Sequence, residues 1–173
     1  KHVNSIAKIF IFTSVAILLM FNITYLKKRM EIINPIPHVL GKETREAFLK
    51  RHLLDYTAVK LINENLPENA KVFTMFLGRR GYYLNRDYKN EPSFGMNTIG
   101  QMVNNAESEE KFVRYVLSMG VTHILMRTDL VNKYLKDNFS KDNINRFLTL
   151  EKKYWKKVYE NNGYTIWDIR VKG

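Results

Sequence analysis

Cysteine is absent from this chain of 173 residues. That excludes disulfides, thiolate metal centres and a Cys–His nucleophile within it. No Gly-x-Ser-x-Gly elbow, Asp-x-Asp pair, Walker loop or dinucleotide glycine fingerprint occurs, which removes the serine-hydrolase and nucleotide-cradle chemistries that those motifs carry. Histidines 2, 38, 52 and 123 lack metal-ligand spacing,, so neither a metal nor a cofactor is expected. With four prolines and eight glycines, the chain shows no low-complexity tract and no internal repeat. Acidic residues are missing from residues 1–30, where Lys1, Lys8, Lys27, Lys28 and Arg29 fall. Five of the eleven excess positive charges therefore sit at the front, and the remainder of the chain is milder,. Such an excess suits anionic lipid or a phosphate-bearing substrate. A nucleic-acid partner is not expected, because no helix-turn-helix pattern or RNA-binding aromatic signature accompanies the charge.

What is present begins with "IFIFTSVAILLMFNITYL", residues 9–26, which carries no charge. At helical rise, such a run spans about 27 Å, close to the hydrocarbon core of a bilayer. Tyr25 suits the interface, and Lys27, Lys28 and Arg29 can snorkel to headgroups. The following "TYLKKRM" is no signal-peptidase site, and the run has no polar face of the kind a core helix shows. Residues 1–30 are thus read as a transmembrane helix with basic flanks. The chain begins with Lys rather than Met, and we expect a piece of a longer polypeptide. Lys27, Lys28 and Arg29 argue for a cytoplasmic C-terminal side and Lys1 and Lys8 for the opposite, so charge alone leaves the topology open.

Residues 31–43, with Pro35, Pro37 and Gly41, read as an extended linker,. Residues 44–173 read as a small soluble α/β domain. Phe48, Leu49, His52, Leu53, Tyr56, Val59, Lys60 and Ile62 recur at helical spacing, with Thr44 as cap and Pro67 as terminator. "AKVFTMFL", residues 70–77, and "VTHILM", residues 121–126, read as buried strands,. They flank a helix over 108–119 with Gly120 beyond its end. Strand, helix and strand make a crossover unit of parallel strands. One or two short helices then precede "WKKVYENNGYTIWDIRV", whose Asn-Gly predicts an antiparallel C-terminal β-hairpin.

The most suggestive stretch for chemistry is "FLGRRGYYLNRDYKN", residues 76–90. It follows the first strand, where open α/β sheets gather ligands. Arg79 and Arg80 suit a phosphate clamp, and Gly78 and Gly81 permit close backbone approach. Against this stands a plain glycine-bounded turn with Tyr82, Tyr83 and Leu84 as an edge strand. His123 reads as a satisfied histidine in a strand. Glu107, Glu109 and Glu110 read as favouring a helix start, and Asp168 as part of a solvated face. No catalytic group is assigned.

"LGKETREAFLKRHLLDYTAVKLINENLPENAKVFTMFLGRRGYYLNRDY", residues 40–88, resembles the region after the last membrane helices in bacterial polytopic glycosyltransferases of the dolichyl-phosphate-mannose mannosyltransferase-like type. "GVTHILM" and "VYENNGYTIWDI" are similar to that family's end. The resemblance implies a last span and a tail domain outside the cytoplasm, in the bacterial inner (cytoplasmic) membrane. The enzyme it implies takes sugar from a polyprenyl-phosphate carrier. The catalytic acid of such enzymes lies in an early outer loop upstream of this sequence, so the tail is expected to be non-catalytic by itself. It would meet membrane lipid, a polyprenyl-phosphate sugar and a glycan acceptor, through Arg79, Arg80, Tyr82, Tyr83 and Arg86. Two other readings stay open. One is a single-pass membrane-anchored binding or assembly domain without enzyme activity. The other is a cytoplasmic-facing basic domain that touches anionic lipid.

Overall fold

The structure, a computed structural model, describes residues 4–78, 80–90 and 92–170, without the side chain of Arg80. The chain divides into two compact units, Lys1–His52 and Leu53–Gly173.

In the first unit, α1 runs from Ser5 to Ile33 with no buried residue. It is long and apolar enough to cross a membrane by length and composition, a property that an anchor shares with a signal sequence,. Its polar side chains bond back to the helix, Asn22 Nδ2 to the Leu18 carbonyl at 2.9 Å and Thr24 Oγ1 to that of Met20 at 2.9 Å. Each of these bonds lowers the cost of a polar group on an apolar surface. Asn34, in a left-handed conformation, ends α1,. The expected extended linker is instead α2, Ile36–Val39, because Pro35 sets the φ that a first helical turn needs. α3, Arg45–His52, starts on Thr44, whose Oγ1 accepts the Ala47 amide at 3.2 Å,.

The single long amphipathic helix read from 44 to 66 is in fact two, α3 and α4 (Tyr56–Asn65). Spacing at three and four residues runs through both, so periodicity alone could not show the break.

The second unit holds a mixed five-stranded sheet in the order β2-β1-β3-β5-β4. β1 is Lys71–Met75, β2 Asp87–Lys89, β3 His123–Arg127, β4 Lys156–Asn161 and β5 Tyr164–Asp168. β1 pairs parallel with β2 and with β3, whereas β5 lies antiparallel to β3 and to β4. The hairpin forms as its Asn-Gly foretells. Asn162 and Gly163 both have positive φ, 51° and 77°, the signature of a turn that matches strand twist.

Helices cover both faces. α4 sends Ala58, Val59 and Ile62 against Val72, Leu125 and Ile166. On the other face lie α5 (Met96–Asn105), α6 (Glu109–Ser118), α7 (Thr128–Asn138) and α8 (Lys141–Tyr154), with Ile99, Met102, Phe112, Val116, Val131 and Phe147 around Phe73, Met75 and Ile124. The link from β1 to β2 packs Leu77 and Leu84 on the α4 face. The link from β2 to β3 packs α5 and α6 on the opposite one. Two parallel connections that step in opposite directions must use opposite faces if both are right-handed, and these do.

Candidate functional site

β1 and β3 are neighbours whose carboxyl ends lead to opposite faces, β1 into the turn beside α4 and β3 into α7. The crevice between them is the place where open α/β sheets hold ligands. Its backbone is strained. Phe76 and Phe94 both have left-handed φ, 57° and 58°, which costs a bulky L-residue on the order of 1–3 kcal/mol. The Phe76 amide donates to the Phe94 carbonyl at 2.6 Å, fastening the end of β1 to the start of α5. Gly95 follows at φ 97°, with Met75 so near that a Cβ would lie 3.1 Å from its Cα. Across the crevice, Arg127 donates from Nε and Nη2 to Asp129 at 3.0 and 3.1 Å. That bond holds the Asp129 carboxyl below its ordinary range. Thr128 N donates to the Gly163 carbonyl at 2.8 Å, which brings the hairpin turn to the same rim. The ring of Tyr134 lies 6.0 Å from that of Phe76.

The motif stretch leaves this rim on the α4 side. Arg79 lies outside the described residues, as does the side chain of Arg80. The expected edge strand at Tyr82–Leu84 is a short 3-10 helix, Arg80–Tyr83, and the edge strand is β2. Gly81 explains the shift: the Tyr88 ring sits where its Cβ would be, 2.2 Å away. A side chain at this position would have to push the half-exposed Tyr88 ring aside for the turn to close on β2. The two tyrosines have separate fates. Tyr83 is half-buried, edge-on to Tyr56 at 6.3 Å, and packs against the α4 cluster. Tyr82 is 82% exposed, with its ring 5.1 Å from that of Tyr83.

Arg86 has a different occupation from the one its motif suggested. Its Nη2 donates to the carbonyls of Asn63 and Leu66 at 2.9 Å each, and its Nε to Pro67 at 3.0 Å. Nη1 donates to Asn85 O at 3.1 Å. The carbonyls of Asn63, Leu66 and Pro67 belong to the end of α4 and its exit, which lack helical donors,. Arg86 therefore caps α4. Asn63 completes the clasp, donating from Nδ2 to Tyr83 O at 2.8 Å and accepting the Asn85 amide at 2.7 Å. The sequence reading missed Asn63; the signal was an amide at the last turn of a helix followed by Pro67. Of the five named residues, the structure presents Tyr82 outward and builds Tyr83 and Arg86 into the support beneath it.

Other polar candidates are already paired. Glu109, at the start of α6, accepts from Lys153 at 2.7 Å and from the Tyr154 hydroxyl, and both hold its carboxyl below the usual range. Asp168 accepts from Arg170 Nε at 2.9 Å, so the carboxylate expected on a solvated face is ion-paired. His123 is buried with Nδ1 2.8 Å from Thr122 Oγ1, and desolvation lowers its pKa. Near the amino end of β3, Lys153, Tyr154, Trp155, Lys156, Asp168 and Arg170 line a cleft of about 300 Å³. Two of its cations are neutralised by Glu109 and Asp168. Among the described residues, no group of three His, Asp or Glu side chains gathers as metal ligands.

No protein-family model matches the chain, and no curated protein or solved structure matches it.

Proposed function

We propose that this chain is the last span and extracytoplasmic tail of a bacterial inner-membrane glycosyltransferase that draws its sugar from a polyprenyl-phosphate carrier, and that the tail is non-catalytic by itself. The observation that carries this reading is the stretch from Gly78 to Arg86. It bears the family resemblance, begins at the carboxyl end of β1, and holds Tyr82 out on a clasp made by Asn63 and Arg86. Tyr82 is exposed and follows Arg79 and Arg80 closely in sequence; a tyrosine suits a sugar ring and arginines suit a phosphate,. The apolar α1 provides the proximity to a lipid-linked donor that such a tail needs. Glu109, Asp129 and Asp168 are each tied to a cation, which fits a supporting rather than a reacting role.

The test uses the full-length protein in membranes, with transfer measured from a radiolabelled polyprenyl-phosphate sugar. Replacing Arg79 and Arg80 by alanine, and separately Tyr82 by phenylalanine and by alanine, should lower transfer while leaving the fold intact. Unchanged transfer in all three variants rejects the reading and favours a binding or assembly domain. Turnover of the sugar donor by this chain alone would reject it from the other side. Side-specific labelling of a cysteine introduced at Asn161 reports which face of the membrane carries the body.

A further inference from the structure

We propose that α2 is a membrane-surface element, seating Ile36, Val39 and Leu40 at the boundary between acyl chains and headgroups of the bilayer that α1 enters. The inference rests on the reading of α1 as a span. It goes beyond that reading by assigning a second, non-spanning lipid contact to a segment whose sequence reads as linker.

Val39 and Leu40, the last residue of α2 and its C-cap, stand three and four positions after Ile36, the spacing that places each beside it on the helix surface,. Val39 is 79% exposed and Leu40 62%. Exposed neighbours at such spacing form a patch, and a patch of this kind marks an interaction surface more often than a scatter of single residues does. Ile32, exposed at the end of α1, precedes this turn in the chain and adds a further apolar side chain near it in sequence. Pro35 and Pro37 bring no N–H to this segment, which lowers the cost of taking its backbone out of water.

The opposite side of α2 is tied down. His38 Nδ1 lies 3.0 Å from the Glu43 carbonyl, and the His38 ring stacks on Phe48 at 4.9 Å. Arg51 donates to both Glu43 carboxylate oxygens, at 3.1 and 2.8 Å. It also donates to the carbonyls of Ile33 and Asn34 at 3.0 and 3.2 Å. Arg51 thus closes the end of α1 and fixes α3 to it. The apolar turn is held between these points and is not a swinging linker. Lys27, Lys28, Arg29, Lys42, Arg45 and Lys50 flank the segment in sequence and are exposed, outnumbering Glu31, Glu43 and Glu46. An apolar turn flanked in sequence by cations matches an anionic lipid surface, where each nearby cation adds attraction.

The chain has no cysteine, so single cysteines can be placed by Leu18→Cys, Val39→Cys and Asn161→Cys and labelled with an environment-sensitive fluorophore. The full chain is reconstituted in phosphatidylcholine–phosphatidylglycerol vesicles. Iodide reports water access, and lipids spin-labelled near the headgroup report shallow depth. The proposal expects the Val39 probe to resist iodide roughly threefold better than the Asn161 probe and to be quenched by the shallow spin label. A Val39 probe as open to iodide as Asn161, with Leu18 protected, overturns the proposal and leaves the span standing. A Leu18 probe open to iodide overturns both. Protection of Val39 that vanishes when protein is diluted into excess lipid points to a second copy on this face and also overturns it.

Discussion

Replacing Arg86 by alanine separates a structural clasp from a ligand group. The side chain reaches the carbonyls of Asn63, Leu66 and Pro67 from one guanidinium. Those of Asn63 and Leu66 accept it in part-buried surroundings. In the variant, water can replace the exposed bond to Pro67 but serves the other two poorly. A hydrogen bond to a charged group is worth about 1.5–3 kcal/mol, and bonds sharing one side chain do not add in full. The expected loss is about 2–3 kcal/mol, a large part of the 5–15 kcal/mol typical of a domain. With a urea slope of roughly 1.5 kcal/mol per molar, the midpoint should fall by about 1.3–2 M. Both tryptophans, Trp155 and Trp167, lie in the second unit, so their fluorescence during urea titration of the detergent-solubilised chain reports that unit alone. Arg86→Lys should recover only part of the loss, since one ammonium cannot span three carbonyls. A midpoint within about 0.3 M of wild type for Arg86→Ala, well inside the expected shift, together with impaired sugar transfer, would refute the cap and return Arg86 to the ligand set.

Glu151 on α8 is largely desolvated, and burial raises its pKa to about 7. An acid raised on folding holds its proton longer in the native state, so its contribution is full below the unfolded value near 4.5 and is lost as pH rises through about 7. Glu151→Gln should therefore gain about 2–3 kcal/mol over wild type between pH 5 and 8, read from urea midpoints across that range; a pH-independent difference would refute this. At Phe94, glycine should be more stable than alanine by about 1 kcal/mol, because only glycine escapes the left-handed strain once the half-exposed ring is gone,; thermal unfolding of the two variants decides it, and a more stable alanine variant would overturn the strain argument. Gly95→Ala meets both a positive φ and the Met75 backbone, and should cost about 2–4 kcal/mol; a melting temperature close to wild type would show that this rim yields more than its geometry suggests.

Much of this protein is determined by local sequence. The absence of any charge over residues 9–26, with polar side chains such as Asn22 and Thr24 bonding back to the helix, sets α1,. Ser140 caps α8 through the Asn143 amide, and Gly120 at φ 61° closes α6, as capping residues do by their own chemistry. Asn162-Gly163 fixes the hairpin because its two residues accept the backbone that a tight turn needs. Tertiary structure decided the rest. Whether 44–66 is one helix or two, whether Tyr82 to Leu84 is strand or 3-10 turn, and how Tyr82 and Tyr83 part company all depend on groups distant in the chain. Residue 88 fills the space over Gly81, and Asn63 reaches forward to residues 83 and 85. Arg86 shows the reason most clearly. A guanidinium serves a phosphate or a set of bare carbonyls equally well, and only the position of α4's end, some 20 residues back along the chain, determines which of them it meets.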